Sequence, residues 1–128
     1  MPDKKTSVSV LLADDDAEVR QALRLLCEQA FALTVAGEAK RVEELLLELP
    51  LLQPDIILLD WELPGKRAVS ADLLIHIRSL HPAKIIILGK RPEAQHQALA
   101  VGADAFIYKG DSPDKLLSLL HSVRSTGT

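Results

Sequence analysis

Short apolar runs alternate with longer amphipathic stretches along the whole chain. The central run, Ile56 to Leu59, is four consecutive large aliphatic residues between Pro54 and the pair Pro64 and Gly65. A run this short, bounded by turn residues, predicts a strand buried on both faces, as in a parallel sheet. Four further runs predict strands in the same way, at 8–13, 33–39, 84–88 and 105–108.

Apolar residues at helical spacing follow every predicted strand, and they indicate five helices. Asp16 is expected to cap the first helix, and Pro50 to stop the second. Pro92 is expected to be the first residue of the fourth helix and Gly102 its C-terminal cap. The third helix should end near 81–82, the fifth should open at 112–113, and the tail 125–128 should be frayed. The fourth helix is poorly amphipathic, and the apolar residues of the fifth are expected to face inward. The apolar residues that mark the five helices are Val19, Leu23, Leu26 and Ala30; Val42, Leu45, Leu46 and Leu49; Leu73, Leu74, Ile77 and Leu80; Ala94, Ala98 and Leu99; and Leu116, Leu117, Leu120 and Val123.

The order of elements is strand then helix, five times. This order predicts a parallel sheet with right-handed crossovers and with helices on both faces. A length of 128 residues fits a single domain.

Composition narrows the class of protein. The chain is 48% hydrophobic but only 3% aromatic, so the core must consist of Leu, Ile, Val and Ala. The formal net charge of −3 gives no basic surface for nucleic acid or an anionic membrane. The single cysteine, Cys27, lies in a predicted helix and is expected to be a core residue. No apolar run reaches membrane-spanning length, and the polar start, 1–7, shows no signal peptide. We expect a soluble cytoplasmic protein that binds neither nucleic acid nor membranes directly.

Charged residues stand where three of the predicted strands end. Asp14 and Asp15 follow the first strand, Asp60 ends the third, and Lys109 follows the fifth. Parallel strands bring these ends to one edge of the sheet, where ligands bind in open α/β folds. Three neighbouring carboxylates repel one another and need a cation, and oxygen-only ligation suits Mg²⁺. Each residue taken alone could instead be a helix cap, a turn residue or a solvated lysine.

These residues resemble the receiver domain of two-component response regulators. The resemblance covers roughly 8–123 and rests on four segments in order. They are Leu-Leu-Ala-Asp-Asp at 11–15, Pro-Asp-Ile-Ile-Leu-Leu-Asp at 54–60, Leu-Pro-Gly at 63–65 and Gly-Ala-Asp-Ala-Phe-Ile-Tyr-Lys at 102–109. Segment 109–116 is similar to the subgroup whose receivers precede a helix-turn-helix DNA-binding domain.

The resemblance implies a flavodoxin-like, doubly wound five-stranded parallel sheet of order 2-1-3-4-5, forming one receiver domain over 1–128 with its core at about 8–124. It implies that Asp60 accepts a phosphoryl group and that Lys109 contacts that group. It also implies that Asp15, Asp60 and the backbone carbonyl of Glu62 bind Mg²⁺, with Asp14 assisting through water. Such a domain is a phosphoacceptor rather than an enzyme.

The sequence departs from the family where phosphorylation is converted into a surface change. Gly89 stands where a Ser or Thr normally ends the fourth strand, and Phe106 at the aromatic switch position has no hydroxyl. Lys90 stands where a small residue is usual. One hypothesis is that Lys90 or Arg91 replaces the lost hydroxyl by contacting the phosphoryl group. The loops at 66–68 and 90–92 also differ in length from the family pattern, and Gly110 replaces a common proline.

The partners implied are a sensor histidine kinase or a phosphotransfer protein, a DNA-binding output domain in a longer chain (absent here), and a second copy of the chain in a homodimer.

The main alternative is an atypical receiver that acts as a protein-interaction module without phosphorylation. A small phosphatase with an aspartate nucleophile is disfavoured, because the sequence shows no separate acid or base near the site. A flavin-binding module is disfavoured, because no Ser/Thr/Gly-rich phosphate loop follows the first strand.

Overall fold

The computed structural model describes residues 7–30 and 32–126, with no side chain described beyond Val123. Five strands are β1 (Val8–Ala13), β2 (Leu33–Ala39), β3 (Ile56–Asp60), β4 (Lys84–Gly89) and β5 (Ala105–Tyr108). Five helices are α1 (Ala17–Gln29), α2 (Val42–Leu52), α3 (Ala71–Leu80), α4 (Ala94–Ala100) and α5 (Pro113–Thr126). All strand pairs are parallel and the order is β2-β1-β3-β4-β5, which confirms the predicted sheet.

Strand β3 is the centre of the sheet, and all five of its residues are buried. Because successive side chains of a strand point to opposite faces, β3 contributes to two separate cores. Ile57 and Leu59 pack with α2 and α3, whereas Ile56 and Leu58 pack with α1 and α5. Cys27 of α1 is fully buried in the second core, as predicted, and burial raises the pKa of its thiol to about 11.

Helix α2 does not stop at Pro50, and that prediction was wrong. The helix continues to Leu52 and closes through Gln53, whose left-handed backbone (φ 46°) lets its N–H donate to the Leu49 carbonyl at 2.9 Å. Pro50 has no N–H to donate to the carbonyl of Leu46, so it removes one intrahelical hydrogen bond, but the turn after it is still closed by the bond from Gln53. Leu52 packs directly over Gly37 of β2, where a β-carbon would approach the Leu52 side chain to 2.6 Å. This contact stabilises the final turn.

The other helix ends differ less from expectation. Pro92 precedes α4 in a tighter turn, in which Gln95 N–H donates to the Pro92 carbonyl, so the α-helix begins two residues later at Ala94. Gly102 follows α4 at a φ of 111°, as predicted for a C-terminal cap. Helix α5 continues through Thr126, so 125–126 are helical rather than frayed, and 127–128 lie outside the described residues. In the described part of the chain no helix is long and apolar enough to cross a membrane.

Candidate functional site

Three strands end side by side at the carboxyl edge of the sheet. Ala13 of β1 is in register with Leu59 of β3, and Asp60 is in register with Leu88 of β4. The residues that follow these positions therefore enter one shallow space. Lys109 joins them from β5, where its N–H donates to the Gly89 carbonyl at 2.8 Å.

The edge brings together the three predicted carboxylates. One carboxylate oxygen from each of Asp14, Asp15 and Asp60 lies within 4.8 Å of the other two. Asp14 and Asp60 are buried, with 1% and 2% exposure, whereas Asp15 is exposed. Two buried acids with an open third side are suited to a hard divalent cation that keeps several waters. The donor set therefore fits Mg²⁺.

Lys109 supplies the positive charge of the cluster. Its Nζ lies 2.7 Å from Asp14 Oδ2 and 3.4 Å from Asp60 Oδ1, and its side chain is 16% exposed. The ammonium group thus neutralises part of the charge of two buried carboxylates at once. A lysine held beside a carboxylate nucleophile is also placed to contact an anion that forms on it.

Burial and charge shift two of these groups. Burial raises the pKa of Asp60 above its usual value, helped by the negative charge of Asp14, while the Glu62 N–H and Lys109 act in the opposite direction. Burial disfavours the charged form of Lys109, but its hydrogen bond to Asp14 and the charges of Asp60 and Asp14 outweigh burial and raise its pKa. Lys109 therefore stays charged at neutral pH, and a bound cation would favour the ionised form of Asp60.

A buried arginine, which the sequence pattern did not indicate, holds the loop that carries the acids. Arg20 of α1 is 8% exposed; its Nη1 donates to the Asp14 carbonyl at 2.7 Å and its Nε to Glu38 at 2.8 Å. The Asp16 N–H fixes the Asp14 carboxylate at 2.9 Å, and the Asp16 side chain caps α1 as predicted. Arg20 lies seven residues before Cys27, on the same face of α1, and this spacing was the available signal.

The rim beside Asp60 carries a second lysine. Glu62 donates its N–H to Asp60 Oδ1 at 3.1 Å, and its side-chain Oε2 lies 3.8 Å from Lys90 Nζ. Both side chains are exposed, at 63% for Glu62 and 68% for Lys90. The pair crosses the mouth of the site from the end of β3 to the end of β4, so Lys90 lies on the same rim as the acceptor.

Gly89 and Phe106 form one packed unit. A β-carbon at Gly89 would lie 2.7 Å and 2.8 Å from two carbons of the Phe106 ring. Phe106 is half-buried and packs against the core shared with α2 and α3. The Phe106 ring thus lies over the backbone of Gly89, where the family has a hydroxyl residue. The glycine at 89 and the phenylalanine at 106 therefore depend on each other.

The loop after β3 is held from two sides. The N–H of Lys66 donates to a Glu43 carboxylate oxygen, and the Val42 N–H donates to the Pro64 carbonyl at 2.9 Å. Arg67 Nη1 lies 2.6 Å from His76 Nδ1 of α3. The unusual loop is therefore attached to α2 and α3, away from the carboxylates.

The family model described as the response regulator receiver domain matches residues 10–121. The nitrate/nitrite response regulator NarL of Escherichia coli K12 is 32% identical over 114 residues, which cover 88% of this chain and 53% of NarL. The phosphate regulon regulator PhoB of Pseudomonas aeruginosa is 35% identical over 127 residues, covering 93% of this chain and 53% of PhoB. The chain spans about half the length of these curated relatives.

The structural comparison points to the same fold. A LuxR-family two-component response regulator from Aurantimonas superposes with a TM-score of 0.82 at 26% identity, over 94% of this chain and 86% of that one.

Proposed function

Since the chain belongs to the family of response regulator receiver domains, we propose that it acts in two-component signalling by accepting a phosphoryl group on Asp60 in a Mg²⁺-dependent reaction. It is a signalling domain rather than a typical enzyme. The observation that supports the proposal most strongly is the pairing of a nearly buried Asp60 with Lys109 at 3.4 Å, next to two further carboxylates.

The transfer needs few groups. An oxygen of the ionised Asp60 carboxylate forms a bond to the phosphorus of a phosphohistidine, the N–P bond breaks, and its electron pair returns to the imidazole nitrogen. A carboxylate is already deprotonated at neutral pH, so the step needs no general base. Lys109 Nζ is placed to donate to a phosphoryl oxygen, which gathers negative charge as the transfer proceeds. The attacking carboxylate must also be oriented, and the hydrogen bond from the Glu62 N–H to Asp60 Oδ1 helps to fix its orientation.

We propose that Asp15 and Asp60, with the backbone carbonyl of Glu62, hold Mg²⁺, and that Asp14 assists through water. Bound there, Mg²⁺ would supply positive charge for the phosphoryl oxygens and offset the repulsion among the acids. Asp14 is already engaged by Lys109 at 2.7 Å, which suits it to the outer, water-mediated position.

The partners follow from the same proposal. A phosphohistidine donor implies a histidine kinase or phosphotransfer protein, and we place the reaction in the cytoplasm. The relatives are twice as long as the matched segment, and two of them are described as regulators of nitrate and phosphate responses. We propose a DNA-binding output domain in a longer chain, and a homodimer as one form of the active state.

The metal requirement is tested by one pair of neighbouring variants. With phosphoramidate and Mg²⁺, wild type should gain the mass of one phosphoryl group, and EDTA should prevent this gain. Asp15→Asn should slow the gain roughly 10-fold to 100-fold, because a direct ligand to the cation is lost. Asp16→Asn is the matched control, since asparagine caps a helix as well as aspartate does. Equal rates in both variants would contradict a metal ligand at Asp15.

We also propose that Lys90 takes the place of the missing hydroxyl. Gly89 offers no side chain, and Phe106 fills the space beside it. Lys90 is the next residue, and its Nζ already lies on the rim, 3.8 Å from the side chain of Glu62. Because that contact joins two exposed groups, it holds the lysine only weakly, and a phosphoryl group on Asp60 would compete for it.

Removing Lys90 should therefore change the reaction but not the fold. Lys90→Ala should slow phosphorylation by phosphoramidate about 3-fold to 5-fold, the effect of a contact worth roughly 1 kcal/mol. Arg91→Ala tests the second basic residue of this loop. Lys84→Ala is the control, because Lys84 begins β4 at the opposite edge of the sheet. The hypothesis is wrong if rate and acyl-phosphate lifetime are the same in Lys90→Ala, Arg91→Ala and wild type.

A further inference from the structure

An outward stripe of α2, which the phosphoacceptor site does not use, combines exposed apolar and acidic side chains. Its members are four residues at helical spacing, hereafter the α2 stripe: Glu44, Leu47, Glu48 and Leu51. Leu47 and Leu51 are 73% and 81% exposed, the two most exposed large apolar residues in the described part of the chain. The opposite face of the helix is fully buried through Val42, Leu45 and Leu49, so the stripe is not needed for the core.

A cavity adjoins the stripe. It has a volume of about 290 Å³, and it is lined by Arg20, Glu38, Lys40, Glu44, Leu47 and Glu48. One carboxylate oxygen of Glu48, Oε2, is buried and accepts no hydrogen bond from the residues that the structure describes. A buried carboxylate oxygen without a donor is costly, so it is expected to have a partner.

Lys40 also lines the cavity, but no hydrogen bond joins its ammonium group to this oxygen, so a cation from outside the described residues would be a suitable partner. The two arginines near the cavity are already engaged, because Arg20 Nε and Arg24 Nη2 donate to the two oxygens of Glu38 at 2.8 Å and 2.6 Å. Glu44 accepts a hydrogen bond from the backbone N–H of Lys40. Burial is the main cause of a raised pKa of Glu48, and the nearby charges of Glu44 and Glu38 add to it.

We propose that the α2 stripe docks a segment of a partner protein that presents an arginine between apolar side chains. The arginine enters the cavity and donates to Glu48 and Glu44, and its apolar neighbours cover Leu47 and Leu51. A guanidinium has several N–H donors in a fixed plane, so one group can donate to two carboxylates in a defined geometry. An ammonium group acts more as a point charge. Exposed apolar residues rimmed by charge are typical of such interfaces.

The cavity is tested with a small cation. Ethylguanidinium should produce a saturable change in the NMR signals of the Leu47 methyl groups, and this change should be lost in Glu48→Gln. Tetramethylammonium has the same charge but no N–H donor, and it should produce no saturable change. Equal responses to the two cations would overturn the assignment of an arginine.

The whole surface is tested with a labelled amphipathic peptide of leucine, arginine and alanine, followed by fluorescence anisotropy. The double variant Leu47→Ser/Leu51→Ser should weaken binding at least about 10-fold, because two apolar contacts are lost. Ile75→Ser is the matched control: Ile75 is 68% exposed on α3, and its loss should leave the affinity unchanged. All three positions are exposed, so the variants should keep the wild-type melting temperature.

Three results would overturn the proposal. The first is an equal loss of affinity in Ile75→Ser. The second is equal binding of a peptide in which glutamate replaces arginine. The third is self-association of the chain that disappears in Leu47→Ser/Leu51→Ser, since the stripe would then be an interface between two copies. None of these measurements uses a phosphodonor, so failure here is independent of the phosphoacceptor proposal.

Discussion

Replacing Lys109 with methionine should impair both the stability of the domain and its phosphorylation. The change keeps the apolar stem but removes the charge that lies 2.7 Å from Asp14 and 3.4 Å from Asp60. Two buried carboxylates would then face each other without a cation. Breaking a buried ion pair by removing one partner costs about 3–5 kcal/mol. The free energy of unfolding, measured in urea without Mg²⁺, should fall by roughly that amount.

The sign of the pH dependence follows from the raised pKa of Lys109. The pKa of Lys109 is higher in the folded chain than in the unfolded chain, so its protonated form stabilises the fold. This stabilisation is complete at pH values below the unfolded pKa, and it is lost as the pH rises through the folded pKa. The stabilisation is therefore fully present at neutral pH. The difference in stability between wild type and Lys109→Met should stay constant near neutrality and shrink only in strongly alkaline solution.

Phosphorylation of Lys109→Met should be about 10²-fold slower, comparable to the loss of one preorganised donor in other enzymes. The double variant Lys109→Met/Asp14→Asn separates the two effects: it should recover stability, because one buried charge is gone, but not the rate. Unchanged stability in Lys109→Met would contradict the role of the lysine in neutralising the buried acids. An unchanged rate would contradict its contact with the phosphoryl group.

Restoring a hydroxyl at position 89 should destabilise the domain. In Gly89→Ser the new β-carbon would meet the Phe106 ring at 2.7 Å, a distance that real β-carbons do not tolerate. The ring must move away from the end of β4 and lose contacts with the core, and overpacking of this kind costs about 1–3 kcal/mol. The loss is measured by urea unfolding, and the displacement of the ring by its NMR signals.

A double-mutant cycle identifies the cause. In a Phe106→Ala background the serine should cost little, because the space beside Gly89 is then open. If Gly89→Ser is equally destabilising in both backgrounds, the cost comes from the backbone rather than from the ring. The cycle thus tests whether Gly89 and Phe106 act as one unit.

The fold could be predicted because the central pattern was unambiguous. Four aliphatic residues before Asp60, bounded by Pro54 and by Pro64 and Gly65, indicated a strand buried on both faces, and the repeating order of elements then predicted a parallel sheet. Convergence of Asp14, Asp15, Asp60 and Lys109 followed from sheet geometry alone. Their chemical roles were expectations from resemblance and are proposals still to be tested.

Helix ends and packing were less accessible to sequence reasoning. Proline lacks an N–H and therefore predicts a stop at Pro50, but the helix continues to Leu52, whose side chain packs on Gly37 of another element. The role of Arg20 was missed because a charged residue is rarely buried unless it is paired. Its partners are Glu38 of β2 and the carbonyl of Asp14 in the loop after β1, so the apolar pattern of α1 did not reveal them. The contact of Phe106 with Gly89 likewise depends on the register of β4 and β5.

The central claim is that Asp60 is the phosphoacceptor, and an intact-mass comparison tests it most directly. Wild type, Asp60→Asn and Asp72→Asn are each incubated with Mg²⁺ and phosphoramidate; Asp72 is an exposed aspartate in the first turn of α3 and serves as the control. Wild type and Asp72→Asn should gain one phosphoryl group, which hydroxylamine removes, and Asp60→Asn should gain none. A gain in Asp60→Asn, or no gain in wild type, would contradict the account, and the second result would favour an interaction module that works without phosphorylation.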